Sequence, residues 1–242
     1  MILSFEHRYS RFREDSLVYH YNQSHILPDD ADFLRMLAIG EKYRELTDGY
    51  FSLRVGGYLE ELGYGKQQIL HRKRSPSFDK DEQKLLDLWW IGKGYLIDMI
   101  AQYIQSQGIS RYMINGGGDI LISQERIEDF GKIGLQDPSH PEQIFAEVSI
   151  LQGALAWSGI QHRKRNTSTG QQHHLINPKT WKPVDNGILS LFIRHQSIIV
   201  ADIMATALFV MPIDQIESTA MRVGVDFCIV FEDRTSVQSR GF

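Results

Sequence analysis

From Met113 to Ile193 the chain is a succession of short apolar runs, and helix-length stretches stand on either side of that block. Runs at Met113–Asn115, Ile120–Ile122, Lys132–Leu135, Ala146–Leu151, Ala154–Trp157, His174–Ile176 and Leu189–Ile193 read as strands, the last with apolar and polar residues alternating. Strands gathered in one block, mostly antiparallel, with helices before and after, specify an α+β fold: a mixed, mostly antiparallel sheet packed with helices. There is no internal repeat, low-complexity tract or clear linker, so residues 1–242 are expected to form a single domain.

The helices have their own punctuation. Asp29 and Asp30 offer N-caps to a helix running to Leu46, with Phe33, Leu34, Leu37 and Ala38 as its apolar stripe and Asp48-Gly49 as its stop. A second helix is expected from Lys93 to Gln107, with Leu96, Ile97, Ile100, Ala101 and Ile104 inward and Gly108 ending it. Ala201–Val210 and Ile213–Arg222 predict two more, and Gly224 separates them from an apolar strand around Cys228. His71 to Gln83 is polar, contains Ser-Pro, and reads as a surface loop or irregular hairpin.

Composition excludes several classes. A net charge of −4 gives nucleic acid no reason to bind, and the basic run His162–Arg165 suits a small anion or a solvated loop. Cys228 is the only cysteine, which rules out an intrachain disulfide or a cysteine metal cluster; inside an apolar run it is a small hydrophobe. No stretch approaches the ~18 apolar residues of a membrane span. Without a signal peptide or lipobox cysteine, the chain as it stands reads as cytoplasmic or as a processed form.

Four segments carry chemistry. Asp202 and Thr206 stand four residues apart in a helical stretch that follows an extended run from Ile188 to Val200, so their oxygens share one helix face. They can act as a cap or help bind a hard cation such as Mg2+. Gly116-Gly117-Gly118-Asp119 follows a strand, and it suits either a tight hairpin or a backbone that approaches phosphate or flavin. It lacks the G-x-G-x-x-G spacing and precedes no helix, which argues against a nicotinamide oxidoreductase. His173 and His174 lie on a strand and face opposite ways, so only one can serve a site; a structural histidine is the alternative. Ser158-Gly159 reads as a ligand-contacting loop, and no partner marks Ser158 as a nucleophile.

Taken with Asp87-Leu88-Trp89-Trp90-Ile91-Gly92-Lys93-Gly94-Tyr95, Trp157-Ser158-Gly159 and His174-Leu175-Ile176-Asn177-Pro178, these motifs resemble, in order and spacing, the ApbE family of FAD:protein FMN transferases. The resemblance runs from about Tyr9 to Met211. It implies an ApbE-like, T-fold-like architecture, FAD as substrate, Mg2+ as cofactor and a flavinylated acceptor protein as partner. It implies cofactor contacts from Lys93, Asn115, Gly116, Gly117, Asp119, Ser158, Gly159, His174 and Thr180. It implies a metal site built from Asp202, Thr206 and the carbonyl of Gly92, with His174 and Asp202 as the catalytic pair and His174 as general base. The implied reaction is transfer of FMN to a Thr or Ser, with hydrolysis of FAD to FMN and AMP when water replaces the acceptor.

The chain departs from the family pattern in places. The family's Asp-Leu-Gly-Gly-Ile-Ala-Lys-Gly has Trp89-Trp90 in place of the glycine pair, so these rings either stack on the ligand or pack in the core. Trp157 replaces a Thr, and Asn177 an Asp. The family's N-terminal strands and Met-Gly-Thr motif have no counterpart, since Phe5 to Phe12 reads as the end of the helix that follows them. That leaves a sheet edge which a homodimer would cover. The departures keep a second reading open, a non-catalytic flavin- or nucleotide-binding protein. Relatives are often exported.

Overall fold

The computed structural model describes residues 1–61, 85–123, 132–160, 165–167, 170–172 and 175–242. Helices α1 (Ile2–Tyr9), α2 (Leu17–Ser24), α3 (Ala31–Leu46), α4 (Gly56–Glu61) and α5 (Trp89–Ser106) come first. Strands β1 (Met113–Asn115), β2 (Ile120–Ile122), β3 (Lys132–Gln136), β4 (Ile144–Ser149), β5 (Gly153–Gly159), β6 (Arg165–Thr167), β7 (Gly170–Gln172), β8 (Ile176–Asn177), β9 (Lys182–Pro183) and β10 (Ile188–His195) follow. Then come α6 (Ile198–Phe209), α7 (Ile213–Val223), β11 (Asp226–Phe231) and β12 (Ser236–Gln238). The expected α+β arrangement is the one observed.

Six strands form one antiparallel sheet in the order β1-β2-β5-β10-β11-β12. Strand β10 lies at its centre, with Leu191 opposite Ser158 and Phe192 opposite Trp157. Its residues Ile188 to Ile193 are all buried, which corrects the expected half-exposed alternation. Both faces are covered: Leu191 and Ile193 join the main core with α6, while Phe192 meets Ile133, Leu135 and Val148 of the β3–β4 hairpin in a second core. Cys228 belongs to that second core, and burial pushes its thiol up to about 11, so it packs as a small hydrophobe.

Helix α6 is apolar all round, and every residue but Val200 is buried, as befits a helix enclosed between a sheet and another helix. It starts earlier than expected because Ser197 caps it, its Oγ accepting from Val200 N; the β-branched Ile198-Ile199-Val200 run is helical, not extended. Asp202 therefore stands one turn inside the helix and is not its cap. Helix α5 likewise begins at Trp89 and not at Lys93. In α3, Asp30 caps as expected, but the buried stripe is Phe33, Met36, Gly40 and Tyr43, with Leu34 and Ala38 outside. Helices α2 and α4 carried no usable sequence signal beyond the Ser16 cap of α2. The polar stretch His71 to Gln83 lies outside the described residues. No described helix is long and apolar enough to cross a membrane.

Candidate active site

The start of α5 is fixed by a buried ion pair. Arg11, 7% exposed, donates through Nε to Asp87 Oδ2 at 2.6 Å and through Nη1 to Glu60 Oε1 at 2.5 Å. The other oxygen of Asp87 accepts from Trp89 N at 2.9 Å, while Leu88 O takes the N–H groups of Ile91 and Gly92. Much of the helix N-terminus is thus satisfied internally, and Lys93 stands one turn inside. What this end of the helix offers the cleft is the cationic side chain of Lys93 on its flank.

Helices α5 and α6 cross at Gly94. Its N–H, which a regular helix would aim at the carbonyl of Trp90, donates to Asp202 Oδ2 at 2.8 Å. A side chain at Gly94 would lie 2.9 Å from the carbonyl of Ile198 and 2.9 Å from Asp202 Cβ. Gly94→Ala is therefore expected to cost about 1–3 kcal/mol by overpacking, seen as a lower midpoint in urea unfolding.

The glycine segment joins β1 to β2 as a hairpin turn. Gly116 N donates to Asp119 O at 2.8 Å and Gly118 N to Asn115 Oδ1 at 2.9 Å. Gly117, at φ +75°, has open space where a side chain would be, and its N–H has no partner among the described residues. One glycine N–H, not three, is available to a ligand.

Asp119 is wholly buried under this turn. One of its oxygens accepts from Trp157 N at 3.2 Å, and the other sits 2.7 Å from Lys93 Nζ. Its carboxyl also faces that of Asp202 within hydrogen-bonding reach. Burial pushes both acids above the usual carboxylate range; the charge of Asp119 adds to this for Asp202, and Lys93 opposes it. Beside them Thr206 Oγ1 lies 3.5 Å from Ser158 Oγ.

These donors fit a hard cation. Asp202, Thr206 and Ser158 offer only oxygen, and positive charge here would relieve two crowded acids. Among the described residues no three His, Cys, Asp or Glu side chains gather into a metal cage, so the remaining ligands must be backbone, water or substrate oxygens. Gly92 lines the site, two residues before Gly94, whose N–H turns to Asp202.

The linkage has a definite sign. A carboxyl raised by folding stabilises the protein fully below the ordinary carboxylate range, and that stability is lost as pH rises through its folded pKa. Without metal the melting temperature should fall as pH rises past neutrality, and Mg2+ should restore more of it at higher pH because it displaces the shared proton. Thermal melts in EDTA and in Mg2+ across pH check this; an Mg2+ effect independent of pH would contradict it.

These groups border a cleft of 670 Å³ between α1, α5, α6 and the glycine turn. It brings together Gly92, Lys93, Gly116, Gly117, Ser158, Gly159, Asp202 and Thr206. Asp119 lies beneath it, Asn115 sits beyond the turn, and exposed Thr180 does not line it. His173 and His174 lie outside the described residues, as do His162 to Lys164. The tryptophan pair divides: Trp90 is buried near Phe51, and Trp89, 55% exposed, stands at the cleft. Asn177 makes a turn, accepting from Lys179 N at 2.9 Å. Reasoning from sequence missed Phe5, Tyr9, Arg11 and Leu175, which also line the cleft; an arginine beside an aromatic in Ser10-Arg11-Phe12 was the available signal.

A model of the family described as the ApbE family matches residues 2–229. The chain is 28% identical over 229 residues to the FAD:protein FMN transferase of Vibrio cholerae, covering 84% of this chain and 68% of that protein. Against the FAD:protein FMN transferase of Escherichia coli K12 the identity is 21% over 260 residues, with 95% and 74% covered. The solved structure of the ApbE protein from Thermotoga maritima superposes with a TM-score of 0.83 at 25% identity, covering 99% of this chain and 86% of that one.

Proposed function

Because the chain belongs to the ApbE family, we propose that it transfers FMN from FAD to a Thr or Ser hydroxyl of an acceptor protein. The observation that carries this reading is the pair of buried acids Asp202 and Asp119, with Lys93 and Thr206 beside them, at the floor of a 670 Å³ cleft. Its acids and hydroxyls match a phosphate-bound cation, and its lysine matches a phosphate.

In this reading Asp202 and Thr206, with the backbone carbonyl of Gly92, hold Mg2+, which when bound offsets charge on the diphosphate. Lys93 Nζ, held by Asp119 and 40% exposed, presents positive charge to the same oxygens. The N–H of Gly117 donates to a phosphate oxygen, and Ser158 steadies the Thr206 hydroxyl. The acceptor hydroxyl oxygen bonds to the FMN phosphorus, the bond from that phosphorus to the bridging oxygen breaks, and AMP leaves with that oxygen. The hydroxyl proton passes to His174, which directly precedes cleft-lining Leu175 in the chain. With water as nucleophile the products are FMN and AMP.

The test is incubation with FAD, Mg2+ and a Thr- or Ser-bearing acceptor protein, followed by denaturing electrophoresis. Flavin fluorescence should travel with the acceptor and vanish when its Thr is changed to Ala. FAD consumed with no labelled acceptor would reassign the protein as a hydrolase, and FAD bound but intact would overturn the reading.

A further inference from the structure

The β8–β9 hairpin stands outside the six-stranded sheet as a small sheet of its own, with Ile176 opposite Pro183 and Asn177 opposite Lys182. It nevertheless reaches the larger cleft, because Leu175, whose carbonyl accepts from Val184 N at 3.1 Å, is one of the cleft's lining residues. So short a ladder cannot hold its own place, and contacts from outside must set it. One of them is Asn177 Nδ2, which donates to Val210 O at the C-terminus of α6 at 3.3 Å. The others gather at the turn. The Trp181 ring lies flat on Tyr58 of α4, with centroids 4.0 Å apart and planes 12° from parallel, and Lys179 Nζ sits 4.0 Å from the centre of the Tyr50 ring.

Trp181 is a costly residue for this turn. Its φ of +58° lies in the left-handed region, where a Cβ is strained and glycine is at ease. Its N–H and that of Thr180 both donate to Asn177 O, at 2.8 and 3.2 Å, which fixes the backbone there. A bulky side chain persists in such a conformation where its contacts over-determine it. Here that contact is the stack on Tyr58, both rings being packed against the main core.

The stack leads on to the cluster at the cleft floor. Glu60 stands two residues beyond Tyr58, on a different side of α4, and accepts from Arg11, which also holds Asp87 at the start of α5. One helix of six residues thus meets the hairpin that carries Leu175 and the ion pair that places Lys93. We propose that Trp181 is a positioning residue for the transfer reaction: stacked on Tyr58, it sets the β8–β9 hairpin, and with it the chain entering Leu175, against the α5–α6 cluster. The inference rests on the function proposed above, in which the base His174 directly precedes Leu175 in sequence. A base displaced by about 1 Å loses roughly a hundredfold in rate, while phosphate contacts made by other elements are unchanged.

The test is the steady-state kinetics of AMP release from FAD in Mg2+, with circular dichroism to check that each variant is folded. Trp181→Gly removes the ring at a φ that suits glycine, so it takes away the stack without adding strain. It is expected to lower kcat about tenfold to a hundredfold and to leave the KM for FAD within about twofold. Trp181→Phe keeps a ring on Tyr58 and should recover most of the loss. Tyr58→Leu removes the same stack from α4, outside the cleft, and should reproduce the effect should Trp181→Gly not fold. An unchanged kcat in a folded variant lacking the stack, a loss carried by KM, or a loss that Trp181→Phe does not recover overturns the assignment. Loss of the fold in both stack-deleted variants overturns it too, by showing the stack to be structural. A parent that releases no AMP from FAD fails the proposed function and this inference together, whereas an active parent with unaffected variants removes the inference alone.

Discussion

Asp202→Asn should reduce Mg2+-dependent cleavage of FAD by at least about a thousandfold, roughly 4 kcal/mol of barrier, while leaving the metal-free protein as stable as the parent. The two effects separate because the residue does two things. Its Oδ2 accepts from Gly94 N at the α5–α6 crossing, and an asparagine oxygen preserves that bond. Its charge is crowded by Asp119 in a buried site, so removing the charge relieves repulsion and the cost of burial. A carboxamide is a much weaker ligand for a hard cation. Turnover assays beside thermal melts in EDTA read both outcomes. A variant that is inactive because it has unfolded would contradict the separation, and an active variant would remove Asp202 from the metal site.

Arg11→Ala is the second large effect, and it acts on stability. The substitution leaves Asp87, 5% exposed, without its buried partner, along with the half-buried Glu60. Breaking one side of a buried ion pair costs about 3–5 kcal/mol, which for a chain of this size lowers the melting temperature by about 6–20 °C. Asp87 also anchors the first N–H of α5, so a loosened Asp87 lets Lys93 drift from the cleft, and the KM for FAD should rise. Arg11→Lys should recover only part of the loss, since an ammonium cannot reproduce the two-pronged contact to Asp87 and Glu60. Equal stability of Arg11→Ala and parent would show that the pair does not hold the helix start.

What could be read from the sequence follows from how local its causes are. Strand positions, the α+β class, the Asp30 cap and the Gly224 stop depend on a few neighbouring residues, and the structure places them within a residue or two of expectation. The spacing of Asp202 and Thr206 put them on one helix face wherever the helix began. The misread features depend on distant partners. Ile198-Ile199-Val200 looks extended because β-branched residues favour strands, but a Ser197 cap and complete burial between sheet and helix override that preference. Lys93 looked like a helix start because Trp89 and Trp90 are poor markers of one; the actual start is set by Asp87, itself held by Arg11 from 76 residues away. The pairing of Asp119 with Lys93, and its closeness to Asp202, is tertiary and had no signature in the chain.

A time course of FAD with the purified protein, resolved by chromatography in Mg2+ and in EDTA, tests the central claim most directly. FAD is expected to bind in both conditions, with AMP appearing in Mg2+ and suppressed by EDTA. FAD that stays intact in Mg2+, or AMP released at the same rate in EDTA, would contradict it.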